Sequence, residues 1–137
     1  MIERKGSILS VREDIKVFDC TIRDGGLVNN YQFSDDFVKA HYNACLEAGV
    51  DYMEIGKNVS PTIMSEKEYG PWNFCKEEDI RRIVGNNDTN MKIAVMSDVG
   101  RSLKEELRPK EESVVDMVRV ATYIHQLPGA IELIEDA

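Results

Sequence analysis

Three charged side chains that could do chemistry lie close together near the start of the chain. Asp19, Arg23 and Asp24 belong to residues 18–26, which read FDCTIRDGG. A carboxylate beside a guanidinium can hold a hard divalent cation and an anionic oxygen together. The alternative is a salt bridge that only fixes a loop, and for an arbitrary Arg–Asp pair this is the commoner case.

A fourth charged residue, Glu54, stands among apolar residues in the sequence YMEIG at 52–56. A buried carboxylate is costly unless it is paired, and Arg23 is the obvious partner. Neighbouring parallel strands lie about 4.8 Å apart, so the two side chains can meet if their strands are adjacent. The alternative places Glu54 in solvent at the end of its strand. The combination of the four charged residues is a more specific indication of a functional site than any one of them alone.

The elements that must position these residues follow a repeating pattern. A strand is predicted over residues 15–21, and Gly25 and Gly26 are expected to stop it in a tight loop. Ser34 is a plausible N-cap for a helix that ends at Gly49, and a strand follows over 50–56. His41 lies on the apolar stripe of this helix, where a boundary role is favoured over a ligand's.

The second half of the chain repeats the alternation of strand and helix. The long loop 57–75, in which Trp72 is expected to pack or to form a lid, leads to a helix that ends at Gly85. Strands are predicted over 91–96 and 117–122, separated by a charged, weakly helical segment at 98–112. A last helix starts at Leu127.

This order predicts an α/β fold with four parallel strands, each followed by a helix. Such a unit is the N-terminal half of an eightfold (β/α)8 barrel, which needs about 250 residues. The alternative is a complete small open sheet. Glu135 and Asp136 end the last helix with the wrong charge for its dipole, which favours a barrel truncated after its fourth unit. Residues 1–137 are therefore expected to form a single partial domain.

Composition narrows the class of protein. With 17 basic and 25 acidic residues, the net charge of −8 argues against a nucleic-acid partner. No apolar run approaches the roughly 20 residues that span a membrane, and residues 1–6 do not resemble a signal peptide. The three cysteines are widely spaced and form no CxxC or Cys/His cluster in the sequence, which argues against a disulfide framework or a structural zinc site and favours a reducing cytoplasm.

Two segments resemble a known superfamily. DCTIRDGG at 19–26 and MEIG at 53–56 are similar to the metal-dependent lyases and aldolases named for an Asp-Arg-Glu signature on a TIM barrel, the DRE-TIM metallolyases. VRVAT at 118–122 resembles the fourth strand of the 4-hydroxy-2-oxovalerate aldolase branch. The resemblance spans about residues 15–125, which is the N-terminal half of the family's barrel.

The resemblance implies an activity and a role for each matched residue. The expected reaction is cleavage of a 4-hydroxy-2-oxo acid into pyruvate and an aldehyde, with Mn²⁺ or Mg²⁺ as the cofactor and Zn²⁺ as the alternative. Asp24 matches the metal ligand and Arg23 matches the arginine that stabilises the enolate oxygen. Glu54 matches the glutamate that orients this arginine. Asp19 matches the acid that opens the motif and is expected to support the catalytic site without binding the metal itself.

The chain departs from the family pattern in two places. The family's His-x-His metal ligands are absent, since the only histidines are His41 and His125. Leu27 occupies the position at which the aldolase branch tends to place a histidine base. Asn29, Asn30 and His125 are candidates for contacting substrate, although turn chemistry explains the two asparagines equally well.

These departures leave other functions open. One alternative is an acyl-CoA-dependent condensing enzyme of the isopropylmalate or homocitrate synthase type. The other is a barrel without catalysis that acts as a scaffold subunit. The 137 residues alone are expected to be inactive and, because half a barrel leaves sheet edges and apolar faces uncovered, to form a homo-oligomer.

Overall fold

A computed structural model describes residues 14–137 and contains one parallel sheet of four strands. The strands lie in sequence order: β1 (Phe18–Asp19), β2 (Tyr52–Lys57), β3 (Lys92–Asp98) and β4 (Met117–Ala121). The α-helices are α1 (Thr21–Asn29), α2 (Asp35–Ala48), α3 (Glu77–Val84) and α4 (Leu127–Asp136). The predicted α/β class with parallel strands is confirmed. The mixed, polar sequence of residues 1–14 predicts a lead-in to the first strand, and all of it except Asp14 lies outside the described residues.

Helix α2 begins and ends where local signals predict. The Ser34 hydroxyl accepts a hydrogen bond from the backbone N–H of Phe37 at 3.2 Å, and Gly49 ends the helix with φ of 73°. Its buried stripe consists of Val38, Tyr42 and Cys45. This stripe belongs to the core that also contains buried residues of the sheet, and His41 lies half-buried on the same helix.

The first strand and its loop differ from the prediction. β1 has only two residues, and α1 starts at Thr21 and includes both Gly25 and Gly26, so the predicted tight loop is wrong. Neither glycine has a positive φ. A Cβ on Gly26 would lie 2.0 Å from the ring of Tyr31. Glycine is therefore needed at this position to leave space for the buried Tyr31 ring, and not to allow an unusual backbone conformation.

The connection from β3 to β4 also differs from the prediction. Instead of an α-helix it contains two 3-10 turns, Lys104–Glu106 and Lys110–Glu112. Its sequence KEELRPKEE offers no apolar stripe to bury, and Pro109 interrupts helical hydrogen bonding. A cavity of about 650 Å³ lies beside Val95 and Val118, on the face of the sheet that a helix would have covered.

The core lies between the sheet and its helices. Trp72 is fully buried in the long loop, and its indole N–H donates to the carbonyl oxygen of Phe33 at 3.2 Å. Of the two roles predicted for it, packing of the loop is therefore the one observed. Three apolar residues on one face of α4 are instead exposed: Leu127, Ile131 and Ile134. No helix between residues 14 and 137 is long and apolar enough to cross a bilayer.

Candidate active site at the carboxyl edge of the sheet

The centre of the site is an ion pair between α1 and β2. Arg23 lies in the first turn of α1, directly after β1, and its Nε donates to Oε2 of Glu54 at 2.6 Å. The Glu54 side chain is fully buried, and that of Arg23 is 17% exposed. The contact expected from the sequence between these two residues is thus present.

A second arginine holds the same carboxylate and was not expected. Arg119 in β4 donates from Nε to Oε1 of Glu54 at 2.7 Å and from Nη2 to Oε2 at 2.8 Å. Strand pairing explains the meeting, because Glu54 lies opposite Ala94, which lies opposite Met117. Arg119 follows Met117 by two residues and therefore faces the same side of the sheet. The available signal was a charged residue in the apolar strand MVRVA, the same signal that identified Glu54.

The two arginines keep this buried carboxylate ionised. Burial raises the pKa of Glu54, but the hydrogen bonds and charges of Arg119 and Arg23 outweigh burial and hold that pKa below its ordinary value. Burial lowers the pKa of Arg23, and the hydrogen bond and charge of Glu54 more than reverse this effect. All three groups therefore remain charged at neutral pH.

Asp24 lies at the outer side of the ion pair. Its Oδ1 accepts a hydrogen bond from Nη1 of Arg23, and its side chain is 57% exposed. Arg23, Asp24 and Glu54 therefore converge at the edge where parallel α/β folds bind their ligands. Asp24 offers a carboxylate oxygen to solvent beside a fixed positive charge.

Asp19 makes a separate group of contacts. Its carboxylate accepts hydrogen bonds from the backbone and hydroxyl of Thr21 at 3.1 and 2.8 Å, and its Oδ1 lies 2.7 Å from Nε2 of His41. Burial raises the pKa of Asp19, but these bonds lower it further than burial raises it. Cys45 lies next to His41, and burial raises the pKa of its thiol to about 11.

The three candidates for substrate contact take part in local contacts at the ends of α1 and β4. Asn29 donates to the carbonyl oxygen of Gln32 at 3.4 Å, and Asn30 ends α1 with φ of 54°, so turn chemistry accounts for both. His125 is exposed in the turn after β4, and its ring stacks on Tyr123 with centroids 5.8 Å apart.

A cleft of about 470 Å³ opens beside the ends of β2, β3 and β4, and Lys57, Asp98 and Arg101 line it. Lys57 is buried and its Nζ lies 3.2 Å from Oδ2 of Asp98. The hydroxyl of Tyr31 is buried without a hydrogen-bond partner among residues 14–137, and burial raises its pKa to about 12. Sequence reasoning did not single out Lys57 or Tyr31, because neither belongs to a motif.

Comparison with known proteins also finds similarity to aldolases. No family model matches the chain. It is 27% identical over 131 residues to 4-hydroxy-2-oxovalerate aldolase 6 of Rhodococcus jostii, covering 93% of this chain and 35% of that protein. The N-terminal domain of a proposed aldolase from Bacteroides vulgatus superposes with a TM-score of 0.74 at 29% identity, covering 89% of this chain and 40% of that one. The chain is a homologue of the 4-hydroxy-2-oxovalerate aldolases.

A further relative is similar to about half of the chain. The oxaloacetate decarboxylase of Mycobacterium tuberculosis is 40% identical over 70 residues, which are 51% of this chain and 20% of that enzyme. The chain spans about a third of the length of the curated aldolases that it matches. The chain therefore shares its fold with the N-terminal domain of the Bacteroides vulgatus protein, and its sequence is similar to parts of an aldolase and of a decarboxylase.

Proposed function

We propose that these residues form the N-terminal part of a longer divalent-metal-dependent aldolase, which cleaves a 4-hydroxy-2-oxo acid into pyruvate and an aldehyde. The observation that carries the proposal is the Arg23–Glu54 pair, with Asp24 beside it at the carboxyl edge of the sheet. The resemblance to aldolases supports the substrate class.

Arg23 supplies positive charge where the reaction develops negative charge. As the bond between C3 and C4 of the substrate breaks, its electron pair moves into the enolate of pyruvate, and negative charge grows on the C2 oxygen. Glu54 holds Arg23 through Nε at 2.6 Å, and Arg119 holds Glu54 through two bonds. Because the guanidinium is oriented before the reaction, little reorganisation is needed in the transition state.

Asp24 fits the role of one metal ligand. Its carboxylate is exposed and offers the oxygen donor that Mg²⁺ and Mn²⁺ prefer. A bound divalent cation would polarise the C2 carbonyl of the substrate. A His-x-His pair does not occur among the 137 residues. We therefore expect the remaining metal ligands to come from outside this sequence and these residues alone to be inactive.

A 2-oxo acid decarboxylase is the second candidate, and Leu27 favours it. Aldol cleavage requires a base that removes the proton of the C4 hydroxyl, but Leu27 stands at the expected base position and is 67% exposed. Decarboxylation of oxaloacetate passes through the same pyruvate enolate and has no hydroxyl proton to remove. The similarity to an oxaloacetate decarboxylase supports this candidate.

Assays of pyruvate release test both functions in the full-length protein that carries these residues. With Mn²⁺, release from 4-hydroxy-2-oxopentanoate supports the aldolase, and release from oxaloacetate alone supports the decarboxylase. EDTA should abolish either activity. Product formed from acetyl-CoA and a 2-oxo acid would favour a condensing enzyme instead, and a folded protein with no metal-dependent turnover would favour the scaffold.

Substitution of Arg23 tests the role of its guanidinium. Arg23→Lys keeps the charge but loses the planar group that Glu54 orients, so kcat should fall by about 10²- to 10³-fold. Arg108→Lys is the matched control, because Arg108 is exposed beside the cavity on the other face of the sheet. Equal kcat values for the two variants would contradict the proposed role of Arg23.

A further inference from the structure

Three potential metal ligands meet between β1 and α2, in the group of contacts around Asp19. A carboxylate oxygen of Asp19, a ring nitrogen of His41 and the sulfur of Cys45 all lie within 4.8 Å of one another. His41 and Cys45 are one helical turn apart on α2, so their side chains share one face of the helix. Asp19 approaches this face from the end of β1.

The geometry distinguishes chelation from a catalytic relay. In a Cys-His-Asp relay the thiol and the carboxylate contact opposite nitrogens of the imidazole ring. Here Nε2 of His41 lies 2.7 Å from Oδ1 of Asp19 and 3.5 Å from the sulfur of Cys45. A nitrogen that lies near both other donors fits ligands that share one cation and does not fit a relay.

The surroundings support the carboxylate as a ligand. Thr21 donates its backbone N–H and its hydroxyl to Asp19, and such hydrogen bonds from neighbouring groups hold a metal ligand in its orientation. Cys45 is 5% exposed, whereas the side chains of Asp19 and His41 are 19% and 21% exposed. The cluster is thus shielded on the side of Cys45 and reachable from solvent on the side of Asp19 and His41.

We propose that Asp19, His41 and Cys45 bind a Zn²⁺ ion, at a site separate from the one that includes Asp24. One sulfur, one nitrogen and one oxygen donor suit Zn²⁺ and disfavour Mg²⁺ and Mn²⁺, which prefer oxygen ligands. Ligands about 2.0–2.3 Å from a tetrahedral zinc lie more than 3 Å apart, so the contact between Asp19 and His41 opens slightly on binding. Water completes the coordination, and the ion links β1 to α2.

Titration of the metal-free chain with Co²⁺ as a spectroscopic substitute for Zn²⁺ tests this site. The expected result is saturable binding of one ion with thiolate-to-cobalt charge-transfer absorption, displaced by Zn²⁺ but not by excess Mg²⁺. Cys45→Ser should abolish the charge-transfer band, and His41→Asn should weaken binding at least tenfold. Zn²⁺ should raise the Tm of the wild type and leave that of Cys45→Ser unchanged.

Two variants serve as controls. Cys20→Ser removes a thiol outside the cluster, and Asp24→Asn removes the carboxylate proposed for the catalytic metal, so both should retain the band. Circular dichroism of each metal-free variant checks that it folds. Absence of one-to-one binding, a band that survives Cys45→Ser, or a band that disappears in Asp24→Asn would overturn the proposal without affecting the proposed aldolase activity.

Discussion

Glu54 determines the electrostatics of the candidate active site. It is a buried carboxylate whose two oxygens accept three hydrogen bonds from Arg23 and Arg119. Removing one partner of a buried ion pair is strongly destabilising, because the other charge is left without compensation. The cluster therefore couples the folding of three elements, α1, β2 and β4, to the orientation of Arg23.

The depressed pKa of Glu54 predicts how stability depends on pH. A carboxyl group with a folded-state pKa below its unfolded value stabilises the protein above the unfolded pKa, which is about 4.3 for Glu. This contribution is lost as the pH falls through the folded pKa. The free energy of unfolding, measured by urea denaturation between pH 7 and pH 3, should therefore fall more steeply in the wild type than in Glu54→Gln.

Glu47→Gln provides the control for this pH series, because Glu47 is an exposed residue of α2. It should follow the wild-type profile. Glu54→Gln should also be less stable at pH 7, since it leaves Arg23 and Arg119 without an anionic partner. If the two variants had the same pH profile, Glu54 would not be the ionised centre of the cluster.

At the scale of elements, α1 places the charged residues of the sequence motif at the candidate active site. The helix starts immediately after β1, so Arg23 and Asp24 lie in its first turns at the edge of the sheet. The close contact between Gly26 and the ring of Tyr31 holds the far end of α1 against the following segment. Tyr31 in turn lies under Nζ of Lys57, 5.6 Å from the ring centroid, which connects α1 to the end of β2.

Substitution of the two glycines of α1 tests this packing. A Cβ at Gly26 would lie 2.0 Å from the Tyr31 ring, so Gly26→Ala should lower the free energy of unfolding by about 1–3 kcal/mol through overpacking. Gly25→Ala is the matched control, because its Cβ would lie 3.3 Å from the tip of Phe33 and alanine favours the helix by about 1 kcal/mol. Urea denaturation should separate the two variants, and equal stability would contradict the contact with Tyr31.

At the scale of the whole molecule, the sheet formed by the described residues has an unpaired strand at each of its two edges. Among residues 14–137, β1 pairs only with β2, and β4 pairs only with β3. Beside β4, Leu127, Ile131 and Ile134 of α4 are 45%, 54% and 61% exposed. Their spacing places them on one face of the helix, which forms an exposed apolar surface next to an unpaired strand.

This surface predicts self-association of the 137-residue chain into a dimer or larger assembly. The double variant Ile131→Lys/Ile134→Glu places charges on the apolar face of α4 and should shift the chain towards monomer in sedimentation velocity. Substitution of Glu132 by Lys, an exposed residue of the same helix, should leave the assembly unchanged. A wild-type chain that stays monomeric at high concentration would contradict the prediction.

The sequence by itself determined those features that depend on local signals. Ser34 and Gly49 mark the limits of α2, and the order of strands and helices identifies a parallel α/β sheet. The acid Glu54 in the apolar segment YMEIG predicted a basic partner. That partner is Arg23, which lies 31 residues away in sequence, just after the adjacent strand β1. The first two inferences hold because caps and periodicity act over few residues. The third holds because an unpaired buried charge is costly enough to require a partner, even one 31 residues away.

Only the tertiary structure decided the features that depend on distant contacts. Arg119 reaches Glu54 across 65 residues, through strand pairings that no single segment encodes. Gly26 is confined by a ring that folds back onto α1, and Asp19, His41 and Cys45 become neighbours because α2 lies against the end of β1. Such contacts depend on where two elements come to rest against each other, and packing of the whole chain sets that position.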